Sequence, residues 1–208
     1  ETVDIMSEAF DIADQYRNTV LVLGDGMIGQ MMEPVTFKER RPRELPPKDW
    51  AATGTEGKRK PNIINSLRLD PAELERLNRR IQAKYREIEE KEVRFETYRC
   101  DDAEIVFVSY GTSSRVVRNT LEELRKNGVA AGLVRPITLW PFPNKAFDQL
   151  PLSTKALFVV EMSEGQMIDD VKIAANGRWP VGFHGRSGGM IPAKSEIMEA
   201  AKRFLEGV

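Results

Sequence analysis

The chain has 208 residues, of which 41% are hydrophobic and 30% charged, and its formal net charge is -1. This is the composition of a globular protein of one or two domains, and the balanced charge excludes a general polyanion binder. A single cysteine, Cys100, and a single histidine, His184, exclude a disulfide framework, an iron–sulfur cluster ligated by this chain alone and a two-histidine metal site.

The N-terminal segment predicts a helix, a strand and a second helix. Four apolar residues recur at the helical spacing of an amphipathic helix: Val3, Met6, Phe10 and Ala13. Residues 19–24 are apolar and β-branched, which predicts a buried parallel strand, and a short helix follows over 25–33. One strand between two helices cannot bury both of its faces. We therefore expect residues 1–34 to be the end of a domain completed elsewhere, and a first residue Glu1 in place of Met is typical of a fragment or a processed chain.

A connector follows. Residues 35–69 are rich in proline and glycine, with basic clusters at 38–43 and 58–60. These clusters fit either an anion-binding patch or a solvated connector, and the interspersed acids favour the connector. Asp70 as cap, Pro71 at the first helical position and Glu73 three residues after the cap predict a helix that runs to about Glu92.

From residue 93 onward, strand patterns alternate with helix patterns. Strands are predicted over 93–98, 105–109, 129–135, 156–161 and 181–184. Helices are predicted over 115–126, 144–149, 166–175 and 194–206. This alternation predicts an α/β protein with a three-layer α/β/α domain and a five-stranded sheet, four strands parallel and the first an antiparallel edge.

Polar and glycine-rich segments follow the predicted strands. In such sheets, ligands and partners meet the carboxyl ends of the strands. The segments at these ends are 110–115, 135–136, 161–166 and 184–189.

Two glycine motifs share the turn after the first strand. Gly24-Asp-Gly-Met-Ile-Gly29 matches the dinucleotide-binding pattern, but Pro34 ends the helix early and no acid-bearing strand follows. Gly24-Asp25-Gly26 also begins the thiamine diphosphate motif, yet the next asparagines, Asn62 and Asn65, lie too far along the chain. We favour Asp25 as a cap of the short helix.

Other polar residues have both a chemical and a structural interpretation. Thr112, Ser113 and Ser114 precede a helix, where they either cap it or bind a phosphate or carboxylate with help from Arg115 or Arg118. Glu161 and Glu164 are suited either to acid–base chemistry or to capping and subunit contacts, and we favour the second. His184 and Cys100 lack catalytic partners at a clear spacing, and we interpret both as structural.

Several segments, in chain order, resemble the α subunit of 2-oxoacid:ferredoxin oxidoreductases. They are Ala9-Phe-Asp-Ile-Ala-Asp14, the segment 20–34, Ser109-Tyr-Gly-Thr-Ser-Ser-Arg115, Trp140-Pro-Phe-Pro143, Val160-Glu-Met-Ser-Glu-Gly-Gln-Met167 and Gly185-Arg-Ser-Gly-Gly189. The version at 27–34, Met-Ile-Gly-Gln-Met-Met-Glu-Pro, is most similar to the 2-oxoisovalerate (branched-chain) type and then to the 2-oxoglutarate type. Thr19 and Ser163 depart from the family's usual Pro and Asn.

The resemblance implies a reaction. A 2-oxoacid is decarboxylated on thiamine diphosphate, electrons pass through iron–sulfur clusters to ferredoxin, and coenzyme A takes the acyl group. In this family thiamine diphosphate and Mg²⁺ would be bound mostly outside this segment and the clusters on partner chains, so we expect no cofactor on this chain alone. The glutamate that activates thiamine would lie upstream, so we assign no catalytic residue and expect the chain alone to be inactive.

The resemblance also divides the chain. Residues 1–34 would end a thiamine pyrimidine-binding domain, residues 35–92 would form a connector with a long helix, and residues 93–208 would form domain II, which resembles the transketolase C-terminal domain. Domain II would serve mainly in assembly. As contacts to coenzyme A phosphates we name Thr112, Ser113, Ser114, Arg115 and Arg186.

The expected partners are the β subunit, the γ and δ subunits, coenzyme A and, through the complex, ferredoxin. No apolar run reaches the roughly 18–20 residues that span a bilayer and no signal peptide is evident, so we expect a cytoplasmic protein that binds neither membrane nor nucleic acid. Two alternatives stay open: a non-catalytic α/β interaction module, and a transketolase-like 2-oxoacid dehydrogenase component that passes acyl groups to lipoamide.

Overall fold

A computed structural model describes residues 1–37, 39 and 43–207, so most of the basic cluster predicted at 38–43 lies outside the described residues. The helices are α1 (Thr2–Tyr16), α2 (Gly26–Gln30), α3 (Pro71–Lys91), α4 (Gly111–Lys126), α5 (Asn144–Asp148), α6 (Met167–Ala175) and α7 (Lys194–Glu206). The strands are β1 (Phe95–Tyr98), β2 (Ile105–Val108), β3 (Ala131–Pro136), β4 (Ala156–Glu161) and β5 (Val181–Gly185). The chain forms two compact units, residues 1–23 with 32–88 and residues 24–31 with 89–208. The segment 24–31 thus groups with the second unit, whereas the sequence-based boundary placed it with residues 1–34.

The first unit is built on α1 and most of α3. The connector is held to α1 by polar contacts. Lys48 Nζ lies 2.6 Å from Asp14 Oδ2, and the Arg17 guanidinium stacks 4.3 Å from the centroid of a Trp50 ring. From α3, Lys84 donates to Asn18 Oδ1 at 3.0 Å.

The prediction of a strand over residues 19–24 is wrong. These residues pair with no strand in the described part of the chain, and the side chains of Leu21 and Leu23 are 78% and 72% exposed. An extended segment becomes a strand only when a neighbour satisfies its backbone groups, and the described residues of this unit supply none. Residues 19–24 therefore have the apolar sequence of a buried strand but no partner strand among the described residues.

The second unit contains a five-stranded sheet of order β1-β3-β2-β4-β5. β2 pairs in parallel with β3 and β4, β5 pairs in parallel with β4, and β1 is antiparallel to β3. All side chains of β2 and β4 are buried, as expected for central strands covered on both faces. The predicted sheet, with four parallel strands and one antiparallel edge, is confirmed.

Alternate residues of these strands pack on opposite faces of the sheet. Val106, Val108 and Val159 join a cluster with residues of α5 and α6. Ile105 and Phe107 join a second cluster with residues of α4 and α7. The sheet therefore lies between two helical layers, and the predicted three-layer α/β/α fold is confirmed.

The start of α4 differs from the prediction. The sequence was expected to form a loop up to Arg115, but the helix begins at Gly111. Serine usually favours caps and turns because its hydroxyl competes for backbone groups. Here the Ser113 and Ser114 hydroxyls donate within the first turn, to the carbonyls of Tyr110 and Gly111, so the helix accommodates them.

None of the helices in the described part of the chain is long and apolar enough to cross a membrane.

Candidate functional site

The carboxyl ends of the parallel strands form one edge of the sheet, and the polar segments of the sequence gather there. β2 leads into Ser109 and Tyr110, and β4 ends at Glu161, whose Cα is paired with that of Gly185 at the end of β5. The Ser109 hydroxyl donates to the Val160 carbonyl at 2.8 Å and so ties the ends of β2 and β4 together.

The N-terminus of α4 faces the Asp25 carboxylate. Oδ1 of Asp25 accepts the N–H of Ile28 at 2.8 Å, as expected for the cap of α2, and Oδ2 accepts the N–H of Thr112 at 3.4 Å. Burial acts to raise the pKa of Asp25, but these hydrogen bonds outweigh it and hold the pKa below its ordinary value. One carboxylate therefore serves two helix N-termini, where their partial positive charge favours an anion.

All five residues predicted to bind phosphate have contacts within this chain, and four of them are not exposed. Thr112 is buried and its N–H is given to Asp25. The hydroxyls of Ser113 and Ser114 donate to carbonyls at 2.7 Å. Nη1 of Arg186 lies 2.5 Å from Glu196 Oε1.

Arg115 differs from these four because its side chain is exposed, with Nη1 4.0 Å from Met31 Sδ. The structure thus gathers Thr112, Ser113, Ser114 and Arg115 on the first turn of α4 and places Arg186 after β5.

Glu161 is an internal anchor, as the favoured interpretation predicted. It is fully buried. Oε2 accepts from the Ser163 hydroxyl at 2.9 Å and from the N–H groups of Gln166 and Met167 at 3.2 and 3.0 Å, and Oε1 accepts the N–H of Ile168 at 3.0 Å. The carboxylate therefore satisfies the free N–H groups at the start of α6, the role of a helix cap.

Glu164 and His184 fix the loop after β5. Glu164 accepts a hydrogen bond from Ser187. His184 Nε2 lies 3.8 Å from Glu196 Oε2, too far for a hydrogen bond, and burial is the main reason why the pKa of His184 is lowered. The imidazole is thus neutral at pH 7 and forms no catalytic pair with a carboxylate.

Tyr110 is a residue whose environment sequence reasoning missed. Burial, followed by the negative charges of Glu161 and Asp25, raises the pKa of Tyr110. The phenol therefore stays protonated near two carboxylates. Its position directly after a buried strand is the signal that could have singled it out.

The described residues do not fit a magnesium–diphosphate site. No three His, Cys, Asp or Glu side chains gather to hold a metal ion in the described part of the chain. Asp25, the acid of the Gly-Asp-Gly sequence, is committed to the N–H groups of two helices. The carboxylate that a magnesium site would need here is thus already used as an acceptor by backbone N–H groups.

Comparison with known proteins identifies the fold of the second unit. Residues 103–197 match the model of the pyruvate:ferredoxin oxidoreductase core domain II. A solved structure of the 2-oxoglutarate:ferredoxin oxidoreductase from Magnetococcus marinus, with 2-oxoglutarate, coenzyme A and succinyl-CoA bound, superimposes with a TM-score of 0.60. It covers 74% of this chain and 28% of that one at 20% identity, a likeness of fold.

Sequence relatives extend over nearly the whole chain. The ketoisovalerate oxidoreductase subunit VorB of Methanothermobacter thermautotrophicus is 44% identical over 96% of this chain and 56% of its own length. The 2-oxoglutarate synthase subunit KorA of Methanothermobacter marburgensis is 31% identical over 95% of this chain and 60% of its own length. The chain thus spans somewhat more than half the length of these relatives. Over nearly its whole length the chain is therefore similar to 2-oxoacid:ferredoxin oxidoreductase subunits, and residues 103–197 match the core domain II of that family.

Proposed function

We propose that this chain is part of the α subunit of an enzyme that oxidises a 2-oxoacid, with 2-oxoisovalerate as the first candidate and 2-oxoglutarate as the second. The bond between the carboxylate and the oxo carbon breaks and releases CO₂, two electrons pass to ferredoxin, and the acyl group forms a thioester with coenzyme A. The observation that carries the proposal is the 44% identity to a ketoisovalerate oxidoreductase subunit, against 31% to a 2-oxoglutarate synthase subunit.

The role of this segment is assembly. Asp25 and Glu161 accept hydrogen bonds from the N–H groups at helix N-termini, which is a structural role. Thiamine diphosphate and the iron–sulfur clusters would be held mostly by other parts of the complex. We propose that residues 1–34 complete a thiamine-binding domain and that the segment associates with the β subunit and with the γ and δ subunits. The exposed Leu21 and Leu23 support this, because an apolar, extended segment gains stability when a neighbour covers it. The reaction with ferredoxin supports a cytoplasmic location.

Contact with coenzyme A phosphates through Thr112, Ser113, Ser114, Arg115 and Arg186 remains a proposal. Because Asp25 already accepts the Thr112 N–H and Glu196 pairs with Arg186, an incoming phosphate must compete with a carboxylate at both positions. In the assembled enzyme, Arg115→Ala and Arg186→Ala should each raise the apparent KM for coenzyme A without changing the KM for the 2-oxoacid. An unchanged KM for coenzyme A in both variants would remove the proposal.

The reaction itself is tested by anaerobic reduction of a viologen dye. The full-length subunit is co-expressed with its partner subunits and assayed with 2-oxoisovalerate, 2-oxoglutarate and pyruvate, each with and without coenzyme A. We expect reduction that depends on coenzyme A and is fastest with 2-oxoisovalerate. Fastest reduction with 2-oxoglutarate would select the second candidate, and no reduction by a complex shown to contain thiamine diphosphate and iron would refute the reaction.

A further inference from the structure

An open groove of about 500 Å³ lies along α3 in the first unit and is lined mainly by arginines. The lining residues are Arg68, Glu73, Arg76, Leu77, Arg79 and Arg80. Arg76, Arg79 and Arg80 are three and four residues apart, so they share one face of the helix. Glu73 is the one acidic residue among those that line the groove, so the groove carries a net positive charge.

The sequence of α3 concentrates this charge. Residues 76–86 contain four arginines and a lysine and no acidic residue. The acids of α3 lie before and after this stretch, at Glu73, Glu75, Glu87, Glu89 and Glu90. Opposite charges three or four residues apart stabilise each other on a helix, and Arg80 has no acidic residue at either spacing.

The central arginines are not neutralised within the chain. The side chains of Arg76 and Arg80 make no hydrogen bond or ion pair with any residue that the structure describes. Arg79 pairs with Glu75 at 2.8 Å, but both side chains are largely exposed, so the pair neutralises little. Arg68 donates to Asn65 and to the Leu67 carbonyl, and this holds it at the groove.

Eight arginines of the second unit lie close to carboxylates instead. The pairs are Arg94–Glu92, Arg99–Glu122, Arg118–Glu96, Arg125–Asp102, Arg135–Glu96, Arg178–Asp148, Arg186–Glu196 and Arg203–Glu199. The guanidinium groups of Arg76 and Arg80 differ from these eight, because no carboxylate among the described residues pairs with them.

The chemistry of the groove fits an acidic protein surface better than a phosphate. A phosphate cradle needs converging backbone N–H groups or buried donors. At the start of α3, the Asp70 carboxylate already accepts the N–H of Glu73 at 2.7 Å, and the arginine side chains are exposed. Exposed guanidinium groups along a helix instead attract an oppositely charged surface over a distance and bind carboxylates in pairs.

We propose that the arginine face of α3, formed by Arg68, Arg76, Arg79 and Arg80, docks an acidic surface of a partner protein. The attraction is electrostatic, so it sets the rate and the salt dependence of association. This inference rests on the charges of α3 and does not depend on the proposed reaction.

The test uses the assembled enzyme that contains the full-length subunit. The probe is fluorescently labelled poly-L-glutamate of about 50 residues, and binding is followed by anisotropy. We compare the wild type with Arg76→Glu/Arg80→Glu. The matched control is Lys202→Glu/Arg203→Glu, which makes the same change in net charge on exposed positions of α7.

We expect the α3 variant to weaken binding about tenfold or more and the α7 variant to leave it nearly unchanged. Wild-type binding should weaken when salt is raised from about 0.05 M to about 0.5 M. If Arg76→Glu/Arg80→Glu lowers the thermal midpoint of the complex, Arg76→Gln/Arg80→Gln replaces it, with a smaller loss in the same direction.

Three results would overturn the proposal. The first is equal weakening by both variants, and the second is no binding of the probe by the wild type. The third is a saturable site for inorganic pyrophosphate, or tighter binding of a DNA oligonucleotide, that is lost in the α3 variant while poly-L-glutamate is unaffected. That last result would assign the groove to phosphates.

Discussion

Glu161 is fully buried and accepts four hydrogen bonds, three of them from the backbone N–H groups of α6 and the residue before it. A buried N–H group that loses its acceptor costs free energy because it cannot turn to water. Glu161→Ala removes the acceptor for three such groups at once, and we expect the free energy of unfolding to fall by about 3 kcal/mol. Urea unfolding of the chain followed by circular dichroism measures this change.

Glu104→Ala is the control for Glu161→Ala, because Glu104 pairs with Lys155 at 2.9 Å on the surface. Exposed ion pairs of this kind contribute little, so the midpoint of unfolding should barely move. Equal losses in the two variants would mean that Glu161 does not anchor α6.

His184 predicts a specific dependence of stability on pH. Burial is the first cause that lowers its pKa below the ordinary 6.5, Glu196 opposes this, and Arg186 and Arg203 reinforce it. In the unfolded chain the imidazole therefore takes up a proton at a higher pH than in the folded chain. The contribution to stability is present above pH 6.5 and is lost as the pH falls through the lower, folded pKa.

We expect the free energy of unfolding to decrease as the pH is lowered from about 6.5 to about 5, and His184→Gln to flatten this slope. Glu196 titrates in a separate window, because the Ala193 N–H is the first of the groups that hold its pKa below 4.5. Denaturant titrations at several pH values measure both windows. A slope that persists unchanged in His184→Gln would show that another group is responsible.

For single residues, the sequence predicts contacts with near neighbours along the chain but misses contacts with residues far along it. Asp25 was expected to cap the helix that follows it, and its bond to Ile28 confirms this. Its second bond, to Thr112, joins residues 87 positions apart, and no local pattern encodes such a contact. The same holds for Arg186, whose carboxylate partner lies on another element.

Among the elements, the strands of the second unit are the best predicted from sequence. Their apolar runs are continuous because both faces of the sheet are covered, and turn residues bound each run. The segment 19–24 has the same kind of sequence and forms no strand in the described residues. Pairing depends on a neighbour, and an apolar run by itself carries no information on whether that neighbour is present.

Gly132 in β3 is required by the close approach of the turn before β2. A Cβ at this position would lie 2.8 Å from the Arg99 carbonyl oxygen and 3.0 Å from Cys100 Cα. Backbone atoms cannot move aside as a side chain can, so Gly132→Ala should lower the free energy of unfolding by about 2 kcal/mol. Thermal or denaturant unfolding measures this loss.

Gly29→Ala supplies the comparison for Gly132→Ala. Gly29 lies in α2, and a Cβ there meets no atom within 4 Å. Alanine is the better helix former, so this variant should be as stable as the wild type or slightly more so. A Gly132→Ala protein that matched Gly29→Ala in stability would contradict the steric explanation.

At the scale of the whole molecule, the two units differ in how much of their apolar surface they bury. The second unit has side chains from both faces of its sheet packed under helices. The first unit leaves large apolar side chains open, among them Phe10, Leu21 and Leu23, each more than 70% exposed. Apolar surface of this kind is typical of an interface.

The double variant Leu21→Asn/Leu23→Asn tests assembly of the complex separately from folding of the chain. Because both side chains are mostly exposed in this chain, the substitution should leave its free energy of unfolding within about 0.5 kcal/mol of the wild type. In the full-length subunit co-expressed with its partners, the proposed assembly role predicts that the same change reduces the yield of assembled complex on size-exclusion chromatography, because an amide is costly to bury in an apolar contact. The control is Ile173→Asn, a single apolar residue that is 72% exposed on α6 of the second unit. If the double variant assembled as well as the wild type, the apolar face of residues 19–24 would have no part in holding the enzyme together.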